Sequence, residues 1–154
     1  MAPNAGMLLT RDSHYLFFAS GDGKNLKHIS KFSIYKKELV AKFEDPAFES
    51  GVYNMALSPD SNSLYVASLN KLHQFSLKDG KFILSRDINE RPDIKWATIY
   101  AMKVTRNNLY LVTGITYFVT PEKGAQEDLS GQNLVPVGGP VCVWSTKDLT
   151  LIKT

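Results

Sequence analysis

Three histidines, one cysteine and a Gly-Asp-Gly triplet are the residues from which chemistry could be built. His14, His28 and His73 stand far apart, and no His-x-x-x-His, Cys-x-x-Cys or acidic calcium loop accompanies them. A zinc or calcium site needs several ligands at fixed spacing, so these imidazoles are expected as surface or filler groups, and no metal or cofactor is expected. Cys142 lies between Val141 and Val143-Trp144 and reads as a buried, inert thiol. Gly21-Asp22-Gly23 lacks the third glycine and the helix of a dinucleotide-binding loop and reads as a tight turn. No Gly-x-Ser-x-Gly elbow is present. Lys24, Lys27, His28, Lys31, Lys36 and Lys37 are offset by Asp12, Asp22, Glu38, Glu44 and Asp45, and 18 Lys plus Arg against 15 Asp plus Glu leaves +3. That surplus is too small to imply nucleic acid.

The elements that would position any site are short strands. Tyr53–Ser85 holds four apolar runs, at 55–57, 64–67, 72–77 and 82–84. They are separated by Ser58-Pro59-Asp60-Ser61-Asn62, by a break at Asn70 and by Lys78-Asp79-Gly80, which describes an antiparallel meander. Leu9–Ser20, Leu57–Ser68 and Val104–Thr113 repeat its first half, the last read as two residues shorter in its turn. Leu9 to Leu57 is 48 residues and Leu57 to Val104 is 47. Phe32-Ser33, Phe75-Ser76 and Trp144-Ser145, each followed by a polar turn and another apolar run, repeat its second half. A period near 48 marks a four-stranded repeat, and twelve strands with no helix define an all-β chain.

Ser58-Pro59-Asp60 and Val141-Cys142-Val143-Trp144-Ser145 resemble the Trp-Asp (WD) repeat β-propeller family. A Gly-His pair is missing before each first strand, and Ser stands where the family's Asp follows Trp. Ser20, Ser68 and Thr113 match the family's second-strand hydroxyl. The resemblance implies a partial β-propeller of three four-stranded antiparallel blades in one domain, 1–154. Blade 1 spans about 6–44, blade 2 about 52–88 and blade 3 about 97–154, with an inserted loop at about 116–140. Propellers close with about four to eight blades, so both flanks of three blades need covering. A longer chain, a homodimer mate or another subunit would each supply the cover.

In that architecture the long connections share one face: 21–27, 44–51, 87–95 and the insertion. Asn107 to Trp144 is 37 residues where Asp60 to Phe75 is 15, so 22 are added. Long loops on a rigid scaffold carry binding surfaces. The candidate partner-binding residues are Tyr117, Phe118 and Leu129 of the insertion, Arg91 and Trp96 of the 87–95 connection, and Phe48 of 44–51. For Trp96, packing under the loop at the start of the next inner strand is the favoured role and an interface anchor the competing one. The resemblance implies a non-enzymatic protein-protein interaction scaffold. A lactonase- or hydrolase-like propeller enzyme with its site in the central channel is the competing reading. Against it, the inner strands offer Tyr53, Asn54, Tyr100 and Lys103 but neither carboxylate nor imidazole. The amino terminus lacks a basic and an apolar signal region, and apolar runs are too short to span a bilayer. With a lone cysteine, an intracellular, cytoplasmic location is expected, the nucleus remaining open, with no membrane association.

Overall fold

The computed structural model describes residues 6–21, 26–48, 51–88, 96–119 and 135–154. Twelve strands run in chain order: β1 Met7–Leu9, β2 Tyr15–Gly21, β3 Leu26–Ser33, β4 Glu38–Glu44, β5 Asn54–Leu57, β6 Ser63–Ser68, β7 Lys71–Ser76, β8 Phe82–Asp87, β9 Trp96–Val104, β10 Tyr110–Val119, β11 Val135–Ser145 and β12 Leu151–Lys153. They form three antiparallel sheets, β1 to β4, β5 to β8 and β9 to β12, each in sequential order. The architecture is that of three blades of a β-propeller. One 3₁₀ turn, Pro46–Phe48, links the first two blades, and the described residues contain no α-helix.

The same side-chain chemistry builds each turn between first and second strands. Thr10, Ser58 and Thr105 accept a bond from the backbone N–H five residues on, at Tyr15, Ser63 and Tyr110. Their hydroxyls donate to Asp12, Asp60 and Asn107 at 2.5, 2.5 and 2.7 Å. Those oxygens in turn accept from the N–H of His14, Asn62 and Leu109. Ser13, Ser61 and Asn108 take left-handed φ values of 59°, 60° and 60°. The three turns are thus equal in length, which corrects the expected two-residue shortening of the third: Leu9–Ser20, Leu57–Ser68 and Val104–Ile115 align without a gap. The turns between third and fourth strands repeat as well, with Lys37, Gly80 and Leu149 left-handed at φ 58°, 72° and 52°.

Alternation along the strands then assigns each blade two faces. Phe17, Ile29 and Phe43 of blade 1 share a core with Met55, Leu64, Val66 and Phe75 of blade 2. On the other side of blade 2, Ala56, Tyr65, Ala67 and Leu72 share a core with Val104, Leu111, Cys142 and Trp144 of blade 3. In β6 the whole run from Leu64 to Ser68 is therefore buried, whereas β2 buries only Phe17 and β10 alternates from Tyr110 to Ile115.

Strand lengths depart from the expected insertion of 116–140. β10 continues to Val119 and β11 begins at Val135, so both ends of that segment are paired strand. Thr116, Tyr117, Phe118 and Val119 are β-branched or aromatic and suit a pleated sheet. Pro136 and Pro140 fit because this stretch of β11 pairs only with β10, so one backbone edge needs no donor.

Candidate functional site

The long-connection end is shaped by a bend in blade 3. Pairing shifts register on both sides of β10, between Gly114 and Thr116 toward β11 and between Gly114 and Ile115 toward β9. Bulges increase twist and re-aim the strand. Gly139 permits the close approach there: a Cβ would lie 2.5 Å from the Ile115 carbonyl oxygen and 3.3 Å from Tyr117 Cδ2. Beyond the bend, Tyr117 pairs with Val137 and Ala97, and Phe118 with Pro136 and Trp96. Both aromatic side chains are half-buried. Past the bend the paired strands carry Tyr117, Phe118, Val119 and Val137.

Two asparagines fix this end of blade 3 to blade 2. Asn70, in the short turn after β6, accepts from Ala97 N–H at 2.7 Å, while its own carbonyl takes Ile88 N–H at 2.8 Å. Asn54 donates from Nδ2 to the carbonyl of Tyr100 at 2.5 Å, catching the residue that bulges from β9. Burial, with the neighbouring Tyr53 hydroxyl second, raises the Tyr100 phenol above its ordinary value. From sequence, Asn70 is a break two residues past the Ser68 hydroxyl and Asn54 a channel residue; nothing in either local motif encodes a bond to another blade.

Of the six expected contact residues, Tyr117 and Phe118 stand together on β10, and Trp96 opens β9 beside Phe118 in the backbone ladder. Arg91 and Leu129 lie outside the described residues, as do Asp22 and Gly23. Phe48 is corrected: it is fully buried, its ring 5.1 Å from Phe75 and 6.3 Å from His73, and serves as a packing residue beneath the connection. A shallow, open hollow of about 270 Å³ on the same end is lined by Lys27, His28, Glu44, Asp45 and Pro46. A hydrogen bond from Lys42, with its charge, holds the Glu44 carboxyl below its ordinary value.

The strand hydroxyls also differ from expectation. Ser20 Oγ lies 2.9 Å from Ser30 Oγ, and Ser68 Oγ lies 2.6 Å from His73 Nε2, at equivalent rungs. The matching pair in blade 3 is Ile115 and Cys142, not Thr113. Thr113 instead accepts from Trp144 Nε1 at 2.9 Å, one rung nearer the outer turn. His73 is a buried filler group, its Nδ1 without a hydrogen-bond partner, and burial drives its pKa down to about 4.

Three stacked four-stranded sheets, turned by identical local chemistry, define the class as a β-propeller segment. No family model and no curated protein matches the chain. Among solved structures it is similar in fold to a hydrazine synthase from Kuenenia stuttgartiensis, with TM-score 0.62 and 16% identity over 92% of this chain and 38% of that one. It is likewise similar to U3-55K, with TM-score 0.59 and 13% identity over 95% of this chain and 50% of that one. The chain thus spans half or less of these structures, and at such identities the likeness concerns the fold. No helix among the described residues is long and apolar enough to cross a membrane.

Proposed function

We propose that the chain is a non-enzymatic protein-protein interaction module, a segment or subunit of a WD-repeat-like propeller. It binds other proteins through the end that bears the long connections. The observation that carries this reading is the β10–β11 hairpin. Its strands are 10 and 11 residues long, against 6 for β6 and β7, and they extend Tyr117 and Phe118 past the bend on a base pinned by Asn54 and Asn70. A rigid base limits the ordering cost of binding, and aromatic residues supply contact area. The repeated hydroxyl-acid turn supports the WD-repeat-like assignment, and the type of the inner strands supports binding over catalysis. Met-Leu-Leu, Asn-Met-Ala-Leu and Trp-Ala-Thr-Ile-Tyr-Ala-Met-Lys-Val offer no carboxylate or imidazole to a central channel.

Deleting Lys123–Asn133 tests the role of the hairpin. Partners recovered from cells with the intact chain should be lost with the deleted one, while thermal unfolding of the blades is retained. Equal recovery of every partner refutes the binding role. Stoichiometric calcium or zinc in the purified protein, with hydrolytic turnover, would move the assignment to the enzyme reading.

A further inference from the structure

Of the three histidines, His73 alone is fully buried, 1% exposed. It pairs with Val66 across the β6–β7 ladder, so it stands on the side of blade 2 that shares a core with Phe17, Ile29 and Phe43 of blade 1 and with Phe48. Its Nε2 lies 2.6 Å from Ser68 Oγ, and its Nδ1 has no hydrogen-bond partner. The rings of Phe48, Phe75 and Phe82 complete the enclosure at 6.3, 6.5 and 6.4 Å, the first at 82° to the imidazole plane. A cation gains from an aromatic face within about 6 Å, so these rings replace water without compensating a charge. The charged groups around the imidazole are Asp45 of the connection, which favours its proton, and Lys71 on its own strand, which opposes it and stands across from Asp87 of β8.

The walls of this enclosure differ in how firmly they are held. Phe75 lies on β7, which pairs with a strand on each side, and Phe82 lies on β8, which pairs with β7 from Phe82 to Asp87. Ser68 belongs to β6, likewise paired on both sides. Phe48 closes the 3₁₀ turn Pro46–Phe48, whose backbone bonds run from Phe48 N–H to the Asp45 carbonyl at 2.9 Å and from Gly51 N–H to the Phe48 carbonyl at 2.8 Å. Both bonds are local to the connection, so the turn is fixed to blade 2 chiefly by the fully buried Phe48 ring. A single 3₁₀ turn is a small cooperative unit, and this wall therefore opens at the least cost. Water admitted there would solvate an imidazolium beside Asp45.

We propose that His73 and Phe48 form an acid-released clasp: with a neutral imidazole the Phe48 ring stays seated and the turn is fixed to blade 2, and protonation unseats the turn while the three sheets remain paired. Burial holds the pKa of His73 at about 4 in the closed form, against an ordinary 6.5. Closure is therefore complete above pH 6.5 and is lost as pH falls toward 4. At pH 5 the open form should be roughly 10- to 30-fold more populated, relative to the closed one, than at pH 8. The turn belongs to the end that bears the long connections, so acid alters that end without unfolding the blades. Nothing in the clasp depends on what those connections bind.

Amide exchange read by NMR on the purified chain at pH 8 and pH 5, corrected for intrinsic rates, tests the clasp. Protection of the Phe48 and Gly51 amides should fall roughly 10- to 30-fold at pH 5. It should also stay below that of the β6 and β7 core amides and be indifferent to dilute urea, the mark of a local opening. The ring signal of His73 should titrate with the same midpoint as the loss of protection. H73Q should give the two amides equal protection at both pH values, and F48A should raise the midpoint of His73 toward 6.5. Protection that does not change with pH in the wild-type chain overturns the proposal. So does a loss that depends on urea as the core amides do, which would mean unfolding of the whole blade, and so does a loss that persists in H73Q, which would place the proton on another group. A His73 midpoint unmoved by F48A would show that the Phe48 ring is not what the proton displaces.

Discussion

At His73 an imidazole is enclosed by aromatic rings, with Phe48, Phe75 and Phe82 centred 6.3, 6.5 and 6.4 Å away. Desolvation lowers its pKa from 6.5 to about 4, against the opposing charge of Asp45 and with that of Lys71. Unfolded chain therefore binds a proton that folded chain refuses between those values. Stability contributed by the neutral ring is complete above pH 6.5 and declines as pH falls toward 4, by at most about 3 kcal/mol. H73Q, which keeps a donor for Ser68, should flatten the pH dependence of the urea midpoint in that window, and an unchanged slope would show that His73 is not its source. Left-handed residues allow a second comparison. Lys37 is exposed at φ 58°, so K37G relieves backbone strain at no packing cost and should stabilise by up to about 1 kcal/mol. Leu149 has φ 52° but is fully buried, so in L149G the lost packing, about 2–4 kcal/mol, outweighs the same relief. Urea unfolding of both variants should give shifts of opposite sign, and shifts of the same sign would contradict this balance.

Among the elements, the meanders were legible because turn residues and apolar alternation recur together at 47 to 48 residues. The register of the third repeat was not. A shift of two residues keeps every side chain on its original face, so alternation cannot detect it. Asn107-Asn108 also makes the bonds of Asp12-Ser13 under different letters. Thr113 was thus matched to Ser20 and Ser68, when Ile115 holds that rung. The hairpin ends were obscured for another reason: Pro136, Gly138, Gly139 and Pro140 are loop signals in sequence, yet an edge segment with a bulge accommodates them. The bonds of Asn54 and Asn70 join different blades and leave no local trace. Gly139 is the element's weak point. In G139A the Cβ meets a backbone oxygen at 2.5 Å and the strands must part. Amide exchange should then quicken over 115–119 and 135–141 while β5 to β7 keep their protection, and unaltered exchange in the hairpin would show that the bend does not depend on the glycine.

Across the whole molecule, stability is concentrated in blade 2, whose two sides are both occupied by neighbours, while blades 1 and 3 each contribute one covered side. Equivalent leucines measure the difference. Leu64 is fully buried between blades, and Leu16, its counterpart, lies half-buried on the outward side of blade 1. Truncation of a buried leucine removes transfer free energy and leaves a cavity that close-packed sheets cannot collapse, about 2–5 kcal/mol, whereas a half-exposed position loses only part of the first term. L64A should therefore destabilise by about 2–5 kcal/mol at any protein concentration. L16A should cost about 1 kcal/mol or less when the chain is dilute, because among the described residues neither inter-blade core includes Leu16. Chemical denaturation of both variants across a dilution series reads out the difference. Equal costs for L16A and L64A at the lowest concentration would mean that the chain itself covers the outward face of blade 1, which is incompatible with three blades stacked in sequence.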